Sequence, residues 1–277
     1  MRTIGVLHPG DMGSAVAAAA RTGGARVLWA SAGRGPATRA RADAERLEDA
    51  GTLAHLAAEC EVILSVCPPA AALDLAREVA AVGFRHTYVD ANAVSPDTTR
   101  MIADIVTASH ATFVDGGIIG PPPRRVGTTR LYLSGAGATA VAPLFAGSPL
   151  EAIPLAGGIG AASALKAAYA GWNKGSQALL IAVRALAIHE GVDAELLAEW
   201  ARSRPDVPAR SEEAVAQNAR KAWRFVGEME EIATAFGAAG LPEGFHQAAA
   251  EVYRRMAGWK DTRTPPSVAE VGKALAP

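Results

Sequence analysis

Lys166 stands near the start of a long run without proline, and Tyr169, Asn173 and Lys174 follow it three, seven and eight residues on. On a helix those intervals fall on neighbouring turns of one side, so a lysine sits beside two hydrogen-bonding partners. An amine held in a desolvated pocket loses proton affinity, and near neutral pH it can then donate or accept a proton at a carbonyl or hydroxyl. A lone lysine on an alanine-rich helix is more often just a solvated charge, so the chemistry has to be judged from the rest of the chain.

A second constellation opens the chain. A short apolar strand runs into His8-Pro9-Gly10-Asp11-Met12-Gly13 and then into an alanine-rich helix. Gly10 and Gly13 occupy the second and third places of a dinucleotide fingerprint, where a missing side chain lets a pyrophosphate approach and lets helix pack on strand. The helix N-terminus turns its partial positive charge toward the phosphates. The first glycine of the fingerprint is replaced by His8, and Pro9 shapes the turn by fixing its own backbone angle. The end of the second strand, where an NAD site places an acidic residue for the ribose, offers Ser31 and Arg34 instead, with Arg39 following. No carboxylate occurs between Asp11 and Asp43. A hydroxyl and a forked guanidinium suit a 2′-phosphate, so the residues favour NADP over NAD; the alternative is that these arginines are a solvated helix face.

The elements that must position these groups follow from periodicity. Six β-rich runs, Thr3–Leu7, Arg26–Ala30, Glu61–Val66, Thr87–Asp90, Ala111–Asp115 and Leu131–Ser134, alternate with helical stretches at Gly13–Thr22, Arg39–Asp49, Ala71–Val82 and Thr98–Ala108. That alternation predicts an α/β doubly wound Rossmann domain. After Gly160 the sequence is helical almost without a break to about Gly258, which predicts an all-α C-terminal domain. The run Ala161–His189 forms a long interdomain helix of about 40 Å. Domains of 1–157 and 158–277 result, with the glycines at 157, 158 and 160 at the junction. Pro205 and Pro208 interrupt the helical region, and Thr262 to Ser267 sets off a last short helix.

Composition narrows the function classes. Lys and Arg number 27 against 28 Asp and Glu, a formal charge of −1, so no global field attracts nucleic acid or an anionic membrane, and a small molecule is the expected partner. The opening residues read as a strand entering a turn rather than a secretion signal, which implies a cytoplasmic protein. Leu131 to Leu150 is uncharged but carries Gly, Pro, Ser and Thr, and reads as strand, turn and start of a helix rather than a membrane span. Cys60 and Cys67 lie about 20 Å apart if the segment between them is extended, too far for a disulfide, and serve as apolar fillers. Neither they nor the six histidines have metal-site spacing, so no metal is expected. Trp172, Trp200, Trp223 and Trp259 are read as core or interface anchors, and Arg124 and Arg125 as a solvated loop pair.

Four stretches taken in order resemble the β-hydroxyacid dehydrogenase and 6-phosphogluconate dehydrogenase superfamily. They are the Asp11-Met12-Gly13 end of the glycine loop, Tyr88 to Pro96, Phe113 to Gly120, and Gly160 to Lys166. The resemblance covers most of the chain, and its first and last motifs are the specific ones. It implies that Lys166 is the counterpart of the family's catalytic lysine, with Tyr169 or Asn173 orienting the substrate oxygen. It also implies that Pro9, Gly10, Asp11, Met12, Gly13, Ser31, Arg34, Cys67, Pro68 and Asn92 hold the cofactor. Gly117, Ile118, Ile119 and Gly120 fall where the family's substrate loop lies. The family forms dimers in which C-terminal helices complete the neighbour's site, which implies a homodimer, and Gly171 and Gly175 would let another helix approach closely. His246 is a candidate to line the site from the partner subunit, although a histidine at a helix start is more often structural.

Departures from the family bear on the substrate. Ile119-Gly120-Pro121 stands where a Ser-Gly-Gly would hold a carboxylate, and Ala170 stands four residues beyond the lysine where the family has Asn. The Asp115 to Pro123 stretch also looks like the substrate side of imine reductases, relatives that reduce a C=N bond, although those usually carry Asp or Tyr in place of Lys166. Three readings therefore stand: a hydroxyacid-type dehydrogenase, an imine reductase-like enzyme, and a non-catalytic NADP-binding sensor. The segments Glu228 to Glu231 and Gly240 to His246 look like a little-characterised branch with its own helical domain.

Overall fold

Short apolar strands and alanine-rich helices alternate through the first of two compact units, Met1–Ala167, in the computed structural model, which describes residues 1–276. The order is β1 (Thr3–Val6), α1 (Asp11–Thr22), β2 (Arg26–Trp29), α2 (Pro36–Ala44), β3 (Glu48–Asp49), α3 (Leu53–Glu59), β4 (Val62–Ser65), α4 (Ala72–Ala81), β5 (Thr87–Asp90), α5 (Pro96–Ala108), β6 (Thr112–Ile119), β7 (Thr129–Ser134), α6 (Ala138–Val141), β8 (Leu150–Pro154) and the start of α7 (Ala161–His189). One eight-stranded sheet runs β3-β2-β1-β4-β5-β6-β7-β8. The strands from β3 to β6 are parallel, β7 turns back antiparallel to β6, and β8 runs parallel to β7. Strands buried on both faces read as continuous apolar runs, and Val62–Ser65 is buried at every residue. One core, around Ile4, Val16, Leu64, Val89 and Leu133, lies on one face of the sheet; the other, around Leu28, Leu56, Ile63, Tyr88 and Phe113, covers the opposite face.

The doubly wound sheet is the expected one, but three details differ from the sequence reading. The predicted helix Arg39–Asp49 stops at Ala44, because Arg46 adopts φ 54° and turns the chain into β3, which pairs with β2. The sixth strand does not end at Asp115 but runs on to Ile119 through Gly116 and Gly117. The stretch from Leu131 to Leu150 holds the expected strand, turn and helix start, as β7 and the short α6, but then enters a strand not predicted, the edge strand β8, where Pro149, Pro154 and a single glutamate hide the alternation. Cys60 and Cys67 are free; Cys60 is a core residue and Cys67 packs against the same cluster.

The second unit, Ala168–Pro277, takes the rest of α7 and adds α8 (Asp193–Ser203), α9 (Val207–Asn218), α10 (Ala222–Ala238), α11 (Gly244–Arg255) and α12 (Val268–Leu275). The two units divide inside α7, whose first turns are bonded to β6. Pro208 sits in the first turn of α9, where a missing N–H costs nothing, and Ser267 with Glu270 forms a capping box that starts α12. Arg184 of α7 is buried and grips both carboxylate oxygens of Asp193 at 2.6 and 2.9 Å while donating to Ser211 at 2.6 Å, which ties α7, α8 and α9 together. None of the four tryptophans from 172 onward is fully buried; the buried tryptophan is Trp29, in β2. Among the described residues no helix is long and apolar enough to cross a membrane.

Candidate active site

The strand order reverses direction at β1, with β2 on one side and β4 on the other, which opens a crevice at the carboxyl ends of the strands where doubly wound sheets bind ligands. The loop from His8 to Gly10 leaves β1 at this point. A Cβ on Gly13 would lie 2.0 Å from the His8 carbonyl oxygen, so only glycine lets α1 start this close to β1. A Cβ on Gly10 would meet no protein atom within 4 Å. The protein itself therefore does not require glycine there, and the open space fits a cradle for a group from outside the chain. The first turn of α1 has no side-chain cap, which leaves its N–H groups for a ligand such as a pyrophosphate. His8 is absent from the non-glycine residues with positive φ, so replacing the fingerprint's first glycine strains nothing.

Basic side chains gather beside this loop. Arg34 Nη1 lies 2.5 Å from His8 Nε2, Arg41 Nε donates to the Pro9 carbonyl at 3.2 Å, and Arg39 Nη2 donates to the Ser31 carbonyl at 3.0 Å. His8 Nδ1 and Arg34 Nε are buried without a hydrogen-bond partner. Burial, and then the Arg34 charge, push His8 down to about 4, so the imidazole is neutral at pH 7 and accepts from the guanidinium. One carboxylate escaped the sequence reading. Asp49 ends β3 next to β2, and its Oδ1 accepts the Gly51 N–H at 2.7 Å. Burial raises its pKa, but bonds from Ser31 and Gly51 and the Arg39 charge hold it below the ordinary aspartate value. The signal that would have found it is the Leu28 to Ala30 register against a neighbouring strand, which needs the fold first.

On the other side of the crevice, Asn92 is buried and fully committed to the protein. Its N–H and Nδ2 donate to Asp90 at 2.9 and 3.0 Å, Nδ2 also reaches Ser65 Oγ at 3.0 Å, and Oδ1 accepts the Cys67 N–H at 2.6 Å. Asn92 thus ties the loops after β4 and β5 together, and fixes Cys67 and Pro68 at the crevice edge. Burial pushes the Cys67 thiol up to about 12, which makes it a poor nucleophile. Asp90 is pushed up to about 7 by burial, against the hydrogen bonds from Asn92 and the charge of Lys166, with Asp115 adding to the rise.

Lys166 joins this group through two contacts at the start of α7. Asp115, at the β6 position paired with Asp90, accepts the N–H groups of Gly160, Ala162 and Ser163 at 3.0, 3.0 and 3.1 Å, and so caps the helix. One turn on, α7 lies against β6 so closely that a Cβ on Gly117 would stand 2.6 Å from the Ala162 carbonyl oxygen and 3.3 Å from Lys166 Cβ. Lys166 is half-buried, and its ammonium acts on Asp90. The segment expected to be a substrate loop is strand at Gly117, Ile118 and Ile119, with both isoleucines buried, because it pairs with β7. Gly120 follows at φ 124°, packed on the Thr128 carbonyl.

The remaining predicted residues lie in the second unit. Tyr169 is exposed, and Asn173 turns its Nδ2 back to the Tyr169 carbonyl at 2.8 Å. Lys174 is paired with Glu228 and lies over the Phe225 ring. His246 is buried in its own chain: its ring packs edge-on to Phe236 at 4.2 Å and fills the space left by Gly171 and Gly175. Those two glycines therefore admit helices of the same chain, α11 through His246 and, at Gly171, α10 through Ile232 and Phe236.

Comparison with known proteins agrees with this geometry. A family described as the NAD binding domain of 6-phosphogluconate dehydrogenase matches residues 3–142, half of the chain, and a domain of unknown function (DUF1932) matches residues 187–256. No curated protein sequence matches significantly. Among solved structures, a conserved hypothetical protein from Sinorhizobium meliloti 1021 is 26% identical with a TM-score of 0.68, over 100% of this chain and 96% of that one. The 3-hydroxyisobutyrate dehydrogenase of Mycobacterium tuberculosis, solved with L-serine, is 17% identical with a TM-score of 0.71, over all of both chains. An imine reductase of Streptomyces aurantiacus is 20% identical with a TM-score of 0.52, again over all of both chains. With a glycine cradle at the switch point, a helical second unit and the dehydrogenase fold throughout, the chain belongs to the family that carries the NAD binding domain of 6-phosphogluconate dehydrogenase.

Proposed function

We propose that the chain is a cytoplasmic, NADP-dependent oxidoreductase of the β-hydroxyacid dehydrogenase type, acting as a homodimer on a small hydroxy or carbonyl substrate with Lys166 as general acid and base. The observation that supports this most directly is the fit of Lys166 against Gly117: a bare strand backbone receives the lysine stem at the carboxyl edge of the sheet, beside buried Asp90. The cofactor, when bound, supplies or takes up the hydride. Gly10, Met12 and Gly13 shape its cradle, Pro9 and Asp11 frame the turn, Ser31 and Arg34 hold the 2′-phosphate, and Cys67, Pro68 and Asn92 border the nicotinamide. Lys166 then moves the proton at the substrate oxygen, oriented by Tyr169 or Asn173. Gly117 to Gly120 border the substrate with the backbone at the end of β6, Ile118 and Ile119 being turned into the protein.

Lys166→Ala is expected to lower turnover by at least about 100-fold with NADPH affinity nearly intact. Unchanged turnover would remove the lysine from the mechanism. A second reading, reduction of a C=N bond, is favoured by β6 itself, whose Ile118 and Ile119 offer no hydroxyl or cation to a carboxylate. NADPH consumption measured against keto acids, aldehydes and cyclic imines separates the two, and NADPH binding with no turnover on any of them supports a sensor instead.

A further inference from the structure

Two basic side chains in contact, both buried in part and each with a nitrogen that finds no partner, are an unusual thing to build beside a cofactor loop. His8 and Arg34 are such a pair: Nη1 of one and Nε2 of the other lie 2.5 Å apart, and His8 Nδ1 and Arg34 Nε are unsatisfied. His8 has no positive φ, so the backbone at position 8 does not call for glycine. The groups around the pair are cationic or neutral. Arg41 of α2 reaches the Pro9 carbonyl, and the Cys67 thiol after β4 feels the Arg34 charge but is itself held neutral by burial. Of the nearby carboxylates, Asp11 opens α1 as an exposed residue, Asp49 is bonded to Ser31 and Gly51 and lies toward Arg39, and buried Asp90 acts on the Cys67 thiol. Among the described residues no carboxylate is bonded to His8 to balance an added proton, and the imidazole stays uncharged.

An arriving phosphate dianion reverses that balance. It gives the guanidinium a fork of oxygens in place of the His8 acceptor, which frees Nε2 to take the proton, and it gives the imidazole a counter-charge, so the form disfavoured in the free protein becomes the favoured one. We propose that His8 is a specificity-determining residue of the 2′-phosphate site, taking up a proton from solvent when the phosphate binds, so that the preference for NADP over NAD strengthens as the pH falls. The inference rests on the NADP reading above and adds to it the role of the residue that replaces the first glycine. By linkage, proton uptake is confined to the interval between the low pKa of the free site and the higher one of the complex, and affinity gains at most tenfold per pH unit across it.

The test is isothermal titration of NADP+ and NAD+ into the wild-type chain, His8→Gln and His8→Gly, from about pH 5.5 to about pH 8, in buffers of contrasting ionisation enthalpy. The 2′-phosphate itself titrates near pH 6, and that contribution is common to all three proteins. Wild type is expected to take up more protons on NADP+ binding than either variant, and its NADP+ to NAD+ affinity ratio should rise by about fivefold or more, relative to His8→Gln, from the high to the low pH. Equal proton uptake in wild type and both variants, with NADP+ still preferred, overturns the role of His8 and leaves the NADP reading standing. Absence of any NADP+ preference in wild type at every pH overturns both.

Discussion

Asp115 and Ser163 hold the lysine helix to the sheet: the aspartate accepts both the Ser163 N–H at 3.1 Å and its hydroxyl at 2.6 Å, and the same hydroxyl meets Thr99 Oγ1 at 2.8 Å. Gly160, Ala162 and Ser134 complete the set of donors on the buried carboxylate. Asp115→Asn keeps the shape but turns one acceptor into a donor facing donors, so it leaves buried groups unpaired. A stability loss of about 2–4 kcal/mol is expected, read as a shift of the urea midpoint at unchanged slope. A variant as stable as wild type would mean that α7 is fixed by its packing on Gly117 and not by this cap.

The buried Asp90 gives stability a pH dependence with a definite sign. Its pKa is raised to about 7 from 3.8, so the folded chain binds more protons than the unfolded one between those values, and its contribution to stability is present at low pH and lost as pH rises through 7. From pH 5 to pH 8 that loss is roughly 3 kcal/mol. Asp90→Asn does not titrate, so the variant should suffer more relative to wild type at pH 5 than at pH 8. His8 drives stability the opposite way over its own interval, but it is common to both proteins and cancels. Parallel stability curves for the two proteins across this range would show that Asp90 is charged throughout.

The two glycines of the first loop should fail in different ways. At Gly13 a methyl group would collide with the His8 carbonyl at 2.0 Å, whereas at Gly10 it would enter open space. Gly13→Ala is therefore expected to lower the melting temperature by several degrees or prevent folding. Gly10→Ala should melt like wild type while binding NADPH at least about tenfold more weakly, because its methyl occupies the room left for the pyrophosphate. Fluorescence quenching by NADPH together with a thermal scan reads both, and a Gly10→Ala protein with wild-type affinity would move the cofactor away from this loop.

How much of this could be read from residues alone follows from the range of each interaction. The doubly wound sheet, the helix Ala161–His189 and the glycine loop are written in local signals, namely apolar runs, a proline-free stretch and glycines after a strand, and each appears close to where the sequence predicts it. The strands β3 and β8 were not legible, since a two-residue strand has no periodicity and an edge strand flanked by prolines looks like a loop. The partners of the predicted site residues were hidden for another reason. Asp115 meets Ser163 across 48 positions and Asn92 meets Ser65 across 27, and such pairs become neighbours only once the strand order is known. Gly171 and Gly175 show the converse: two small residues mark a close approach, but not which helix makes it.

Along α7 a row of large apolar side chains stays exposed among the described residues. Leu165, Trp172, Leu179 and Leu186 recur every seven residues, with Tyr169 between the first two, and Trp172 is 72% exposed while Leu179 and Leu186 are each 60% exposed. A seven-residue apolar repeat is the seam along which a second helix packs, and covering a large apolar side chain contributes about 1.5–3 kcal/mol. If the homodimer proposed above forms, this stripe rather than Gly171 and Gly175 is where the copies meet. Trp172→Glu combined with Leu179→Glu would then bury two charges in that seam and weaken self-association by at least about 100-fold, while the residues facing the interior of the chain stay untouched. Light scattering on a sizing column should show wild type at twice the chain mass and the double variant at the chain mass, with matching far-ultraviolet circular dichroism. A double variant that stays dimeric places the interface elsewhere, and a wild-type chain that runs as a monomer removes the dimer altogether.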